Sequence, residues 1–181
     1  MLKWILIAAG ALVALVLLVV AIGWMLPRAH VATSTVVLRQ PPDAVWPVIR
    51  DFARYPDWWP QAKASARVAD IGGREAWSQQ VGPGAPIVAV VIEDTPPTRV
   101  VTEIVGEPGA PFGGRWTYEV AAAGGGTRVS ITEDGWIANP MFRFMANVFF
   151  GMHGTMDGYL VALGRLFGED VEVQHGSGER Q

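Results

Sequence analysis

From Trp4 to Leu26 the chain reads WILIAAGALVALVLLVVAIGWML, 23 residues without a charge. About 20 apolar residues, rising about 1.5 Å each, cross a hydrocarbon core as a helix, so this run is long enough to span with some tilt. Trp4 and Trp24 stand near its ends, where amphipathic rings settle at headgroup level. Lys3 and Arg28 bracket it, and Pro27 stops the helix. A cleaved signal peptide is the competing reading, with Ala21-Ile22-Gly23 as a cleavage-like site. The apolar region of such a peptide usually runs about 7–15 residues, which is shorter. Residues 1–30 are therefore read as a transmembrane anchor and short linker, with Trp4–Leu26 in the membrane. Lys3 and the α-amino group nearly balance Arg28, with Arg39 further off. The short basic N-terminus tips the expected orientation toward a domain on the extracytoplasmic side.

The remaining roughly 150 residues suffice for one domain with a real core. At 50% hydrophobic and 17% charged residues, the chain is neither disordered nor a polytopic membrane protein. Without cysteine, disulfides, thiolate metal sites and cysteine nucleophiles are excluded. Only Lys3 and Arg28 among the 14 basic residues precede residue 31, which leaves 12 against 17 acidic groups, a net −5. No basic cluster offers a surface for nucleic acid, so none is expected as a partner.

Residues 31–39 are β-branched and predict a strand, broken by Gln40-Pro41-Pro42. Asp43 is expected to cap a short helix carrying Pro47 in its first turn, and DFARYPDWWP at 51–60 predicts a second short segment, helical or turn. Six further runs predict an antiparallel meander, at 64–70, 74–81, 86–93, 98–107, 114–122 and 127–136, each ended by Gly or Pro turn signals. Gly72-Gly73, Gly113-Gly114 and Gly124-Gly125-Gly126 lack the context of a phosphate-binding loop and are read as turns. Alternation puts Trp116, Tyr118 and Val120 on one face, and Val129, Ile131 and Glu133 on one face. Asn139-Pro140 opens a final helix, Met141 to about Phe167, with a kink expected at Gly151 or Gly154. Phe144, Val148, Met152, Met156, Leu160, Leu163 and Phe167 form its apolar stripe, and Gly168 its stop. The polar tail, residues 169–181, is expected to be disordered.

Three passages resemble the START/polyketide-cyclase-like (SRPBCC) superfamily. They are Pro42-Asp43-Ala44-Val45-Trp46-Pro47-Val48-Ile49-Arg50-Asp51-Phe52 with Tyr55-Pro56-Asp57-Trp58-Trp59-Pro60, then Trp116-Thr117-Tyr118-Glu119 with Ile131-Thr132-Glu133-Asp134-Gly135, then Met156-Asp157-Gly158-Tyr159-Leu160-Val161-Ala162-Leu163. The resemblance covers residues 31 to about 168. It implies an α+β helix-grip fold, a curved antiparallel sheet of about seven strands around a long C-terminal helix, with a deep apolar pocket between them. The transmembrane anchor is an addition to that pattern. The superfamily hosts cyclases and lipid carriers alike, so fold alone does not select the function.

Catalytic signals are sparse, and whether the domain is an enzyme is left open. His30 abuts the anchor and His175 lies in the tail, so only His153 is placed inside the domain. With Asp157 four residues on it forms either a helix-surface ion pair, the favoured reading, or a base with its orienting carboxylate. Two such groups lack a third ligand, so neither a metal nor a cofactor is expected. Glu133, ending an apolar row, is either a desolvated carboxylate with a raised pKa or a rim residue. Glu103 and Arg115 are assigned to the surface. Trp58, Trp59, Trp77, Trp116, Tyr118 and Trp136 supply apolar bodies with single polar handles, suited to a bulky apolar ligand. One member of the Trp58-Trp59 pair is expected at a pocket mouth or at the membrane. Together with Glu133 and His153 these are the candidate ligand-binding residues. The expected function is membrane-anchored binding of a lipid or other hydrophobic small molecule. The alternatives are a polyketide cyclase/dehydrase-like enzyme using Glu133, His153 and Tyr118 in the same pocket, or an interaction domain with a filled core.

Overall fold

A computed structural model describes residues 1–106 and 109–176. Helix α1 (Leu2–Met25) is long and apolar enough to cross a membrane. The chain then enters β1 (Ala29–Leu38) almost at once, followed by α2 (Pro42–Arg50), a 3₁₀ turn (Phe52–Arg54) and α3 (Tyr55–Trp58). Strands β2 (Ala62–Ile71), β3 (Arg74–Val81), β4 (Ile87–Thr95), β5 (Arg99–Val105), β6 (Phe112–Ala123) and β7 (Gly126–Ile137) form the predicted meander. After it come α4 (Pro140–Met145), a π-helical segment (Ala146–Phe150), α5 (Gly154–Leu166) and β8 (Gln174–Gly176).

The eight strands form one antiparallel sheet in the order β2-β3-β4-β5-β6-β7-β1-β8. Register shifts between Val91 and Glu93 and at both ends of β2 bend it, as local extra residues do. Its concave face carries Val100, Val120, Val129 and Ile131, and α5 packs there through Met156, Tyr159, Leu160 and Leu163. This is the helix-grip architecture that the resemblance implies.

Four expectations need correction. The final helix is not continuous, because Gly151 adopts φ +69 and α5 restarts at Gly154. The stripe therefore divides: Met156, Leu160 and Leu163 are fully buried, whereas Val148 is 55% exposed. Gly113-Gly114 is not a turn but lies inside β6 opposite Trp136 and Gly135. Asp43 does not cap α2; Pro41 occupies that position, so Pro47 lies beyond the first turn. The tail is not disordered through its first half, since Gln174–Gly176 pairs with Thr33–Thr35 and the Glu169 carboxylate, buried, accepts from the Arg39 amide at 2.9 Å. Residues 177–181, and Glu107-Pro108 at the end of the fourth meander run, lie outside the described residues.

Other local readings hold. Asn139 caps α4, its side-chain oxygen accepting from the amides of Met141 (2.9 Å) and Phe142 (3.2 Å). Gly168, at φ +71, ends α5, and the Glu169 amide reaches back to the Gly164 carbonyl.

Candidate functional site

The curvature of the sheet leaves a two-chambered cavity between its concave face, α3, the α4 region and the start of α5. The outer chamber is about 810 Å³, and the inner about 440 Å³. They meet at Val81, Ile104, Phe112, Glu133 and Thr155, which line both. Space of this size favours a ligand-binding pocket over a core filled by its own side chains.

Strand alternation explains what reaches the cavity. Trp116 and Tyr118 project from β6, and Glu133 from β7, where it is paired in register with Trp116. Trp59, 3% exposed, lines the inner chamber, and its buried indole N–H has no hydrogen-bond partner among the described residues. Trp136 lines the outer chamber. The other three candidates point elsewhere. Trp58, partly buried, packs edge-on against Tyr159 with centroids 5.0 Å apart, so of the tryptophan pair Trp59 is the one that lines the pocket. Trp77 donates to Glu75 at 2.6 Å and stands edge-on to Phe52. His153 sits at the N-cap of α5 and turns toward β1.

Glu133 is partly exposed, and its carboxylate lies 3.4 Å from Nε2 of His30. Although its sequence position abuts the anchor, His30 is the second residue of β1, opposite Gly135, and lines the outer chamber. Gly135 permits this, because a Cβ there would meet the His30 ring at 2.8 Å. Glu103 and Arg115 pair with each other at 3.3 Å across β5 and β6, on the outer face as expected.

Behind the inner chamber, the Tyr55 hydroxyl donates to the Ile49 carbonyl at 2.7 Å and the Tyr159 hydroxyl donates to Tyr55 at 3.2 Å. Burial pushes the phenols of Tyr55, Tyr159 and Tyr118 well above their ordinary range, with Glu133 adding repulsion at Tyr118. Tyr118 thus lines the inner chamber as a neutral phenol rather than a base.

A second polar group lies at the sheet edge. The hydroxyl of Ser34, fully buried, donates to Asp157 at 2.7 Å, so its oxygen accepts from Nδ1 of His153 at 3.2 Å. His175, brought in by β8, stacks on His153 with centroids 4.1 Å apart and bonds Asp157 through Nε2 at 2.9 Å. His153 and Asp157 are thus bridged by Ser34 rather than forming a simple ion pair. Burial, then the neighbouring His175, hold the His153 imidazole below its usual pKa. His153, Asp157 and His175 offer ligand atoms within 4.8 Å of one another and could hold a metal ion. The third ligand, which the sequence reading lacked, arrives from the tail.

The sequence profile of the family described as "Polyketide cyclase / dehydrase and lipid transport" matches residues 29–167. No curated protein matches the chain. Among solved structures, the di-domain ARO/CYC StfQ from the steffimycin biosynthetic pathway superposes with a TM-score of 0.61 at 9% identity, over 75% of this chain. The chain spans 50% of the length of that protein. A START superfamily protein from Mycobacterium smegmatis gives 0.57 at 21% identity, over 77% of this chain and 98% of its own. The Zhui aromatase/cyclase from a Streptomyces species gives 0.58 at 17%, over 75% and 91%. At these identities the likeness is one of fold.

Proposed function

The chain belongs to the family of polyketide cyclases/dehydrases and lipid-transport proteins, and from that premise we propose that it binds a lipid or similar amphiphilic small molecule while anchored to a membrane by α1. The family implies a pocket for a hydrophobic small molecule. The observation that carries the finer reading is the makeup of the cavity. Its wall is mostly apolar and aromatic, with the Glu133 carboxylate at the junction of the two chambers and a few further polar side chains, His30, Gln61, Gln79 and Thr155, along it. That is the arrangement for a long apolar body with one polar end, because a few placed polar groups orient a ligand whose affinity comes from apolar burial. Anchoring by α1, with the domain on the extracytoplasmic side, raises the local concentration of any membrane-resident ligand.

Native mass spectrometry of the full chain, released from detergent micelles, tests this. We expect one bound apolar species per chain. Ala89→Trp, which fills the inner chamber from β4, should abolish it while circular dichroism stays unchanged. A wild-type chain that carries nothing, and takes up nothing when offered phospholipid or fatty acid, would remove the reading.

Cyclase/dehydrase-like catalysis is the second reading, favoured by the Glu133–His30 pair at the chamber junction. A carboxylate beside an imidazole can take and return a proton, while Tyr118 donates to a carbonyl. His153, turned toward Ser34, has no part in it. Loss of turnover of a polyketide-like substrate in Glu133→Gln, with binding retained, is the expected signature.

A further inference from the structure

The segment between β7 and α5 is chemically unlike the rest of the domain. Between Asp134 and His153 the only charged residue is Arg143, and Arg143 faces inward, 5% exposed. Its guanidinium donates to the Leu26 carbonyl at 2.9 Å and the Ala138 carbonyl at 3.2 Å. What faces outward is uncharged and mostly apolar: Phe142, Val148 and Phe149 are each more than half exposed, with Asn147 the exposed polar residue among them. A soluble domain rarely leaves such a contiguous patch uncovered.

The patch has a fixed place relative to α1. Gly23 lies directly against the Pro140 carbonyl, so closely that a Cβ there would overlap it. The Ile137 amide donates to the Arg28 carbonyl at 2.8 Å, and β1 starts at Ala29. No slack linker separates the helix from the domain. A helix of 24 residues is about 36 Å long, more than the roughly 30 Å of a hydrocarbon core. Gly23, close to its end, therefore falls near the headgroup–acyl boundary, and the start of α4 falls at the same depth. Trp24, 71% exposed, suits that level.

We propose that α4 and the π-helical segment form a second membrane contact, seated in the headgroup–acyl boundary beside α1, so that the mouth of the cavity opens onto the leaflet. This rests on α1 spanning the membrane. The occupant is a lipid surface because the patch is continuous with the end of the spanning helix and carries no outward charge. Phe142 belongs to the patch and, with the half-buried Met145 and Ala146, to the wall of the outer chamber. A ligand can then pass sideways from the leaflet into the chamber without crossing water. The substrate class is accordingly a membrane-resident amphiphile rather than a water-borne metabolite.

The absence of native cysteine makes the test clean. Single variants Phe142→Cys, Phe149→Cys, Ala121→Cys and Leu15→Cys of the full chain are labelled with an environment-sensitive fluorophore. Each is reconstituted in vesicles of phosphatidylcholine and phosphatidylglycerol carrying a shallow spin-labelled lipid as quencher. Labels at 142 and 149 should emit blue-shifted light and be quenched at least threefold more than the label at 121, which lies at the opposite end of β6. Leu15 reports the anchor separately. Aqueous signals at 142 and 149 beside a lipid-protected Leu15 would overturn the second contact and leave the anchor standing. A water-exposed Leu15 would overturn both. Protection at 149 that vanishes at one chain per nanodisc would assign the patch to a second copy and overturn the lipid contact.

Discussion

Helix α5 and the α4–π-helical segment share one apolar periodicity and have opposite fates. Along the stripe of three- and four-residue steps, Met156, Leu160 and Leu163 are fully buried against the sheet. Val148, one turn before Gly151, is 55% exposed, and Phe149 next to it is 66% exposed. The difference lies in direction, not composition. At φ +69, Gly151 turns the chain, so α5 runs across the concave face while the preceding segment leaves it for the end of α1. An amphipathic stripe specifies that a face will be buried, but not against what.

The contrast is broken most strongly from the α5 side. Leu160→Ala should cost about 2–5 kcal/mol of unfolding free energy, the range for deleting a fully buried leucine side chain from a packed core. Urea denaturation in mild detergent, followed by circular dichroism, measures it. A loss under about 1 kcal/mol would mean that α5 is not the core helix.

The next effect falls on the other segment. Arg143→Met keeps length and apolar bulk but removes the donors to Leu26 and Ala138. Charge-assisted hydrogen bonds of this kind contribute about 1.5–3 kcal/mol. We expect amide exchange in α4 to accelerate by at least tenfold while α5 is unaffected. Equal acceleration in both would show that the two segments open together.

What was legible in the sequence followed locality. Alternation placed Trp116, Tyr118 and Glu133 on the concave face because strand parity is decided by immediate neighbours. The Asn139 cap and the Gly168 stop were readable for the same reason. His30 and His175 were not. One enters the cavity wall through the pairing of β1 with β7, the other meets His153 through the pairing of β8 with β1, and the partners are far away in sequence. Trp58 and Trp77 show a different limit. An aromatic residue near a pocket-forming motif packs against whichever neighbour folding supplies, here Tyr159 and Phe52.

His153 stands at the junction of the two segments and gives a pH-dependent readout of the buried side. Burial and His175 disfavour its imidazolium, and the weaker pull of Asp157 and Glu133 does not reverse this. The unfolded chain then binds this proton first. The stability contribution is complete above the ordinary histidine pKa of about 6.5 and is lost as pH falls from there to the lower folded value. Thermal midpoints between pH 7.5 and 5 should decline, and His153→Gln should flatten that decline. An unchanged slope in the variant would place the pH sensitivity elsewhere.

The smallest effect is the most discriminating. Val148→Ala deletes methyl groups from the same stripe as Leu160, so a stripe buried along its whole length would lose about 1 kcal/mol or more. At 55% exposure the side chain has little protein surface to give up, and the expected change in micelles is within about 0.5 kcal/mol. Denaturation of Val148→Ala beside Leu160→Ala under identical conditions decides the matter. Comparable losses would mean that both halves of the stripe share one protein core. A near-zero value for Val148 means that the apolar character of the segment does not serve the fold, and leaves a surface outside the domain as what it is built to meet.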